Sequence, residues 1–306
     1  MDFPNVNEIP PDIFIKSVLA ATHKVYSGDR KKIKHTKSVK LVLKVAERCG
    51  YTRIGNGFYK HGHFSFRVFS LMNSIFPYQS LHGMRRDTSI NFELVDFVTP
   101  IIIEMNKLFL GQFKLFMKKA HTIDVPLEYL DLYTHGDNFE NLFASITKFN
   151  KKELSSVYNL IQKEISEFDV CLKHVPKERV DIYFKFTELL EGVLLVCKYR
   201  DFNTTVGKKI ISDLFYLYKD YVSYLLYPYI ETLSGEDIEY EKEKYNTSIQ
   251  NKMKYASMRF GKLENKIIEY HFQPTINELD TEISIELNKM DKKERTQLFN
   301  LLSPSE

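Results

Sequence analysis

The chain has no tryptophan, only three cysteines and no long uninterrupted hydrophobic run. The missing tryptophan excludes no class of function, because 23 phenylalanines and 19 tyrosines supply ample aromatic mass for a core. Cys49, Cys171 and Cys197 are odd in number and widely spaced. That pattern excludes a disulfide framework and a Cys-rich zinc module, and it points to a reducing, cytoplasmic setting. The most apolar stretch, residues 97–117, is broken by Glu104, Lys107 and Lys114. It falls short of the roughly 18 nearly uncharged residues that a membrane span needs. The opening "MDFPNVNEIPPDIF" carries acids and prolines where an export signal would carry basic residues and then an apolar run. Also missing are a Gly-x-x-x-x-Gly-Lys-Ser/Thr loop, a Gly-x-Gly-x-x-Gly turn after a strand and a Gly-x-Ser-x-Gly elbow. These absences argue against an enzyme of a common kind, and no cofactor is expected.

Charge is present and unevenly placed. Residues 1–90 contain 15 Lys plus Arg against 6 Asp plus Glu, a net of +9, whereas residues 91–306 contain 28 against 34, a net of −6. Such asymmetry suggests an anionic partner for the first part, and nucleic acid is the commonest one. The expected division is therefore a basic module over 1–90 and a helical body over 91–306, the latter a candidate dimerisation or partner-binding region.

Helical spacing dominates the pattern. Ile13, Phe14, Ser17, Val18, Ala21 and Val25 predict a first helix, stopped by Gly28. Val39, Val42, Leu43, Ala46 and Cys49 predict a second, closed by Gly50. Three glycines between Tyr51 and Gly62 require sharp turns and leave room for a strand near "GFYK". Ser65 can cap a third helix with Val68, Phe69, Met72, Ile75 and Phe76 inward, and residues 78–89 read as a loop or small basic hairpin. Beyond Asn91 the chain reads as helical, with Pro100 kinking or starting a helix, Pro176 opening one, and "NTT" at 203–205 capping another. Residues 121–138, with Pro126 and Gly136, read as a surface connector. The fold class expected is mainly α: a helix-turn-helix or winged-helix-like module followed by an all-α body.

Lys37, Lys40, Lys44 and Arg48 fall on one side of the second helix over about 17 Å, at ~1.5 Å rise per residue, a spacing suited to a phosphate backbone. In a helix-turn-helix the residues opening the next helix approach base edges; these are Ser65, Phe66 and Arg67, with Arg85 and Arg86 at the hairpin tip as groove contacts. The stretch "KHTKSVKLVLKVAERCGYTRIGNGFYKHGHFS" resembles archaeal and phage-associated winged-helix regulators, in which a Lys-rich helix precedes a Tyr-x-x-Gly-Pro-Tyr-Ser turn. Tyr59, Gly62, Phe64 and Ser65 match, and His63 stands where that family has proline. The resemblance implies a winged helix and a DNA-binding or toxin-partner role.

Rival readings weigh less. A metal at His61 and His63, with His82 or Cys49, has too few ligands at close spacing, so none is expected. His121, Asp124, Glu128, Asp131, His135 and Asp137 carry hydrolase-type groups without a hydrolase spacing. The functional expectation is a non-enzymatic transcription regulator or similar binder of double-stranded DNA. The alternatives are a helical protein–protein interaction protein, or a single-stranded nucleic-acid binder that stacks bases on Phe58, Tyr59, Phe64 and Phe66. Tyr216, Tyr224 and Tyr227, in the aromatic run at 214–229, offer polar handles to a partner.

Overall fold

A computed structural model describes residues 5–26, 35–60, 62–75, 89–109, 125–146, 151–200 and 204–290. The protein is mainly helical. Among the described residues, ten α-helices and a single two-stranded sheet are found. The helices are α1 (Pro11–Tyr26), α2 (His35–Cys49), α3 (Phe66–Ile75), α4 (Phe92–Phe109), α5 (Leu130–Ile146), α6 (Lys151–Asp169), α7 (Lys177–Tyr199), α8 (Thr204–Asp220), α9 (Ile238–Glu269) and α10 (Ile276–Lys289). Strands β1 (Gly57–Tyr59) and β2 (Gly62–Phe64) pair antiparallel with Phe58 opposite His63. None of the described helices is long and apolar enough to cross a membrane.

The chain forms two compact units. The first comprises residues 1–137, 171–180 and 223–254; the second comprises 138–170, 181–222 and 255–306. They follow a different principle from the charge division at residue 90, because segments distant in sequence share a core.

In the first unit, α1 packs mainly on α4. Most of the apolar stripes of α1 and α2 predicted from spacing is buried, with Phe14, Val18, Val39 and Val42 fully so, and Ile13, Val25 and Cys49 are partly buried. Phe14 stacks on Tyr51 at 3.9 Å, and the Tyr51 hydroxyl donates to the Ile9 carbonyl at 2.7 Å, tying the chain after α2 to the entry of α1. Pro100 sits within α4, which starts earlier, where the Asn91 side chain accepts from the Leu94 N–H at 3.0 Å. A helix-turn-helix links its helices by three or four residues. Here residues 50–65, with the hairpin, separate α2 from α3. The basic hairpin expected at 78–89 lies almost wholly outside the described residues.

The β-hairpin is held by its own glycines and by residues 224–245. Gly62 turns the chain at φ +81°, where a side chain would be strained. Gly57 lies so close to Tyr229 that a Cβ would meet its carbonyl oxygen at 2.7 Å. Tyr59 is buried among Tyr224, Tyr229, Tyr245 and Phe66, with ring centroids 5.3–5.9 Å away. Tyr133 donates to its carbonyl at 2.9 Å. Of the aromatic residues expected to stack bases, Phe58 and Tyr59 are thus core and Phe64 and Phe66 are partly buried, each ring pair adding about 0.5–1.5 kcal/mol beyond area burial.

One expected connector is a helix. Residues 127–129 make a single 3₁₀ turn after Pro126, and α5 then runs through Gly136. Leu132, Tyr133, Phe139 and Phe143 recur at helical spacing and are buried, and this spacing outweighs the turn propensity of Gly136, Asp137 and Asn138.

In the second unit, Phe139, Phe143, Phe168, Tyr183, Phe186 and Tyr218 form an aromatic core with edge-to-face pairs such as Phe139 on Tyr218 at 4.9 Å. Helix α10 is attached to it by charge. Thr275 and Glu278 form a capping box, and Glu278 also receives the Arg200 guanidinium through two nitrogens. Arg200 donates further to the carbonyls of His271 at 3.0 Å and Gln273 at 2.9 Å. Glu282, 6% exposed, accepts from Lys198 Nζ and the Tyr199 hydroxyl, each at 2.6 Å.

Hydrogen bonding from Arg200 holds the Glu278 carboxyl down at about 2, against burial, which pushes it up. Depression below the usual carboxylate value stabilises the fold fully above about pH 4.5. That contribution disappears as pH falls toward 2. Glu278→Gln should therefore lower stability at pH 6 while differing little from the parent near pH 2. Urea unfolding followed by helical circular dichroism across that range measures the difference.

Candidate functional site

The side chains expected to contact DNA are placed as follows. Lys40 is buried at 4% exposure and lies on no open face. Lys44 is partly buried and pairs with Glu47 at 2.8 Å, and the half-exposed Arg48 pairs with Glu104 at 3.2 Å. The side chain of Lys37, and the whole of Arg85 and Arg86, lie outside the described residues. So do His61 and His82; His63 stacks on Phe58 at 4.9 Å and hydrogen-bonds Asn56.

Ser65 and Arg67 are held in a polar knot. Ser65 caps α3 as expected, its hydroxyl accepting from the Val68 N–H at 3.3 Å. The same hydroxyl donates to Glu241 at 2.6 Å. The Glu241 carboxylate also accepts from the Phe66 N–H at 2.6 Å, the Arg67 N–H at 3.0 Å and the Tyr229 hydroxyl at 2.5 Å. A negative group at the positive end of α3, facing otherwise unpaired N–H donors, is favourable on both counts. Burial lifts the Glu241 carboxyl above the ordinary carboxylate value while these four donors pull it down. Arg67 is tied to Asp12 at 2.7 Å and to Asp237, and lies 5.5 Å from the Tyr240 ring. Arg53 pairs with Glu236 at 3.3 Å, and Lys24 with Asp96 at 2.9 Å. Lys60, 3% exposed, lies over the Tyr224 ring at 4.9 Å.

A different set of cations is open. In the second unit α8 and α9 run side by side, from the Asp213–Lys266 ion pair at 2.6 Å to the Tyr221 and Tyr255 rings at 6.1 Å. Between them lies a cleft of about 320 Å³. Its floor is Leu217 and Leu263, both nearly fully buried; its walls include Tyr216, Asp220, Arg259 and Lys262. Helical spacing explains the arrangement. Asp213, Tyr216, Leu217 and Asp220 share one face of α8, and Arg259, Lys262, Leu263 and Lys266 share one face of α9. Tyr216 is 56% exposed, Tyr255 51% and Met258 53%. Arg259 and Lys262 are exposed, and no acid forms an ion pair with either among the described residues. In residues 255–266 the single acid, Glu264, is taken by Lys185 at 2.8 Å.

Sequence reasoning missed this cleft. The available signal was three cations against one acid over 255–266, with tyrosine at 255. Of the tyrosine handles expected at 214–229, Tyr216 is open, Tyr227 is buried and Tyr224 packs on Tyr59. Comparison with protein-family models, with curated proteins and with solved structures finds no match.

Removing Glu241 would take the acceptor from two hydroxyls and two N–H groups, the Tyr229 hydroxyl keeping a long contact to the Phe64 carbonyl at 3.5 Å. Glu241→Ala should destabilise the protein by about 3–5 kcal/mol. Glu239→Ala, at an 87% exposed side chain, should stay within about 0.5 kcal/mol. Urea titrations of both variants test the contrast.

Proposed function

We propose that this is a non-enzymatic nucleic-acid-binding protein that takes a single strand across the α8–α9 cleft. The observation that carries the reading is the pairing of exposed tyrosines, Tyr216 and Tyr255, with the open cations Arg259 and Lys262. Aromatic faces stack bases of any identity, and neighbouring cations hold the backbone. The cleft spans about eight helical residues, or ~12 Å, room for about two nucleotides. Asp213 is neutralised by Lys266, and Asp220 is the other acid in the walls.

Duplex DNA at the basic first ninety residues is the rival within the same class. It rests on the net of +9, several of whose cations, among them Arg30, Lys31, Lys32 and Lys34, lie outside the described residues. Those at Arg48, Arg53 and Arg67 face acids. Arg67 and Ser65 are engaged with Asp12, Asp237 and Glu241, which favours a structural use for them over base reading.

Fluorescence anisotropy with a labelled 12-mer, single-stranded or duplex, over 50–200 mM salt separates the readings. Arg259→Gln with Lys262→Gln should weaken single-strand binding and lower the log–log salt slope by about 1.4, since each phosphate contact contributes about 0.7. Tyr255→Ala should cost about 1–3 kcal/mol. Tighter duplex binding, indifferent to these changes but lost on charge reversal at Lys44, Arg48, Arg85 and Arg86, would return the function to the N-terminal part. Binding to neither probe would favour the helical interaction protein.

A further inference from the structure

Helices α8 and α9 run antiparallel along the cleft: between the Asp213–Lys266 ion pair and the Tyr221–Tyr255 ring contact, residue numbers rise on α8 and fall on α9. The same register continues past the ion pair. Lys209 lies four residues before Asp213 and Tyr270 four residues after Lys266, so each stands about one turn, or ~6 Å, further on. Both keep to the faces that line the cleft. Lys209, Asp213, Tyr216 and Asp220 recur at spacings of four, three and four, and so do Arg259, Leu263, Lys266 and Tyr270. Tyr270 directly follows the last residue of α9, and its N–H still donates to the Lys266 carbonyl at 3.0 Å, which holds it in helical position.

Lys209 is exposed, and Tyr270 is 45% exposed. No acid forms an ion pair with Lys209 among the described residues, and Asp213, one turn away on the same face, is taken by Lys266. Glu269, the neighbour of Tyr270 in sequence, is displaced from it by ~100° around the helix. The chain after Tyr270 is anchored, with the His271 carbonyl accepting from Arg200 at 3.0 Å and Phe272 buried, while the Tyr270 ring remains open. An open aromatic ring level with an unmatched cation is the combination that Tyr255 and Arg259 present in the cleft itself.

We propose that Tyr270 and Lys209 form a second subsite, which takes the next base and the next phosphate of the same single strand. This inference rests on the reading of the cleft as a single-strand site. Measured along α8 from Lys209 to Tyr221, the path lengthens from ~12 Å to ~18 Å and holds about three nucleotides in place of two. Tyr255 and Tyr270 stand toward its two ends, and the neutralised Asp213–Lys266 pair separates Lys209 from Arg259 and Lys262.

Competition against a labelled single-stranded 12-mer, followed by fluorescence anisotropy on the full chain, tests the second subsite. An oligothymidylate of four nucleotides should displace the label at a concentration at least about fivefold below that needed with two nucleotides, the gain expected from one further stacked base. Tyr270→Ala should remove that advantage, and Tyr270→Phe, which keeps the ring, should retain it. Lys209→Gln should lower the log–log salt slope for the 12-mer by about 0.7. Equal competition by the two lengths, or an advantage that survives Tyr270→Ala with the slope unchanged in Lys209→Gln, would overturn the second subsite; the cleft reading stands in that case if Arg259→Gln with Lys262→Gln still weakens binding. No binding of the 12-mer by the parent protein would overturn both.

Discussion

The first unit depends on one carboxylate. Glu241 sits in a pocket formed by the start of α3, the Ser65 hydroxyl and the Tyr229 hydroxyl, and it accepts from all of them. An unpaired carboxylate could not be buried there at tolerable cost, and four unpaired donors could not be either. Each half of the arrangement therefore requires the other. The β-hairpin and α3 are set in position by residues some 170 places further along the chain, and Arg67 adds a second link through Asp237. The basic first part of the sequence is consequently not a free-standing module in its packing.

The second unit uses the same device at a different place. Glu278 and Glu282 attach α10 through Arg200, Lys198 and Tyr199, where apolar residues would ordinarily do the work. The apolar residues of α10, Ile276, Leu279 and Ile283, are exposed. Charge in this protein thus serves attachment at two helices, and cations with no such duty are informative by contrast. Arg259 and Lys262 are of that kind, beside exposed tyrosines. They carry the functional proposal, whereas Arg48, Arg53 and Arg67 are already matched by acids.

Local signals in the sequence located much of the helical framework. The apolar stripes of α1 and α2, the Ser65 cap, and the helix starts after Pro176 and near Thr204 all follow from spacing and capping chemistry. Four things were not legible. Lys40 reads as a solvated lysine, yet it is buried, because a helical wheel gives no information on which neighbours cover its polar side. Gly136, Asp137 and Asn138 read as a turn, yet the flanking Leu132, Tyr133, Phe139 and Phe143 carry α5 through them. The partners of Ser65 and Arg67 are distant in sequence, and no window of local pattern can pair Arg67 with Asp237. The α8–α9 cleft was hidden for the same reason, since Tyr221 and Tyr255 meet only after the chain has reversed.

Ultraviolet crosslinking of a photoreactive single-stranded oligonucleotide to the intact protein, with the modified peptides identified by mass spectrometry, tests the central claim most directly. Adducts are expected on Tyr216, Tyr221 or Tyr255. Adducts confined to residues 30–86, with none on α8 or α9, would contradict it.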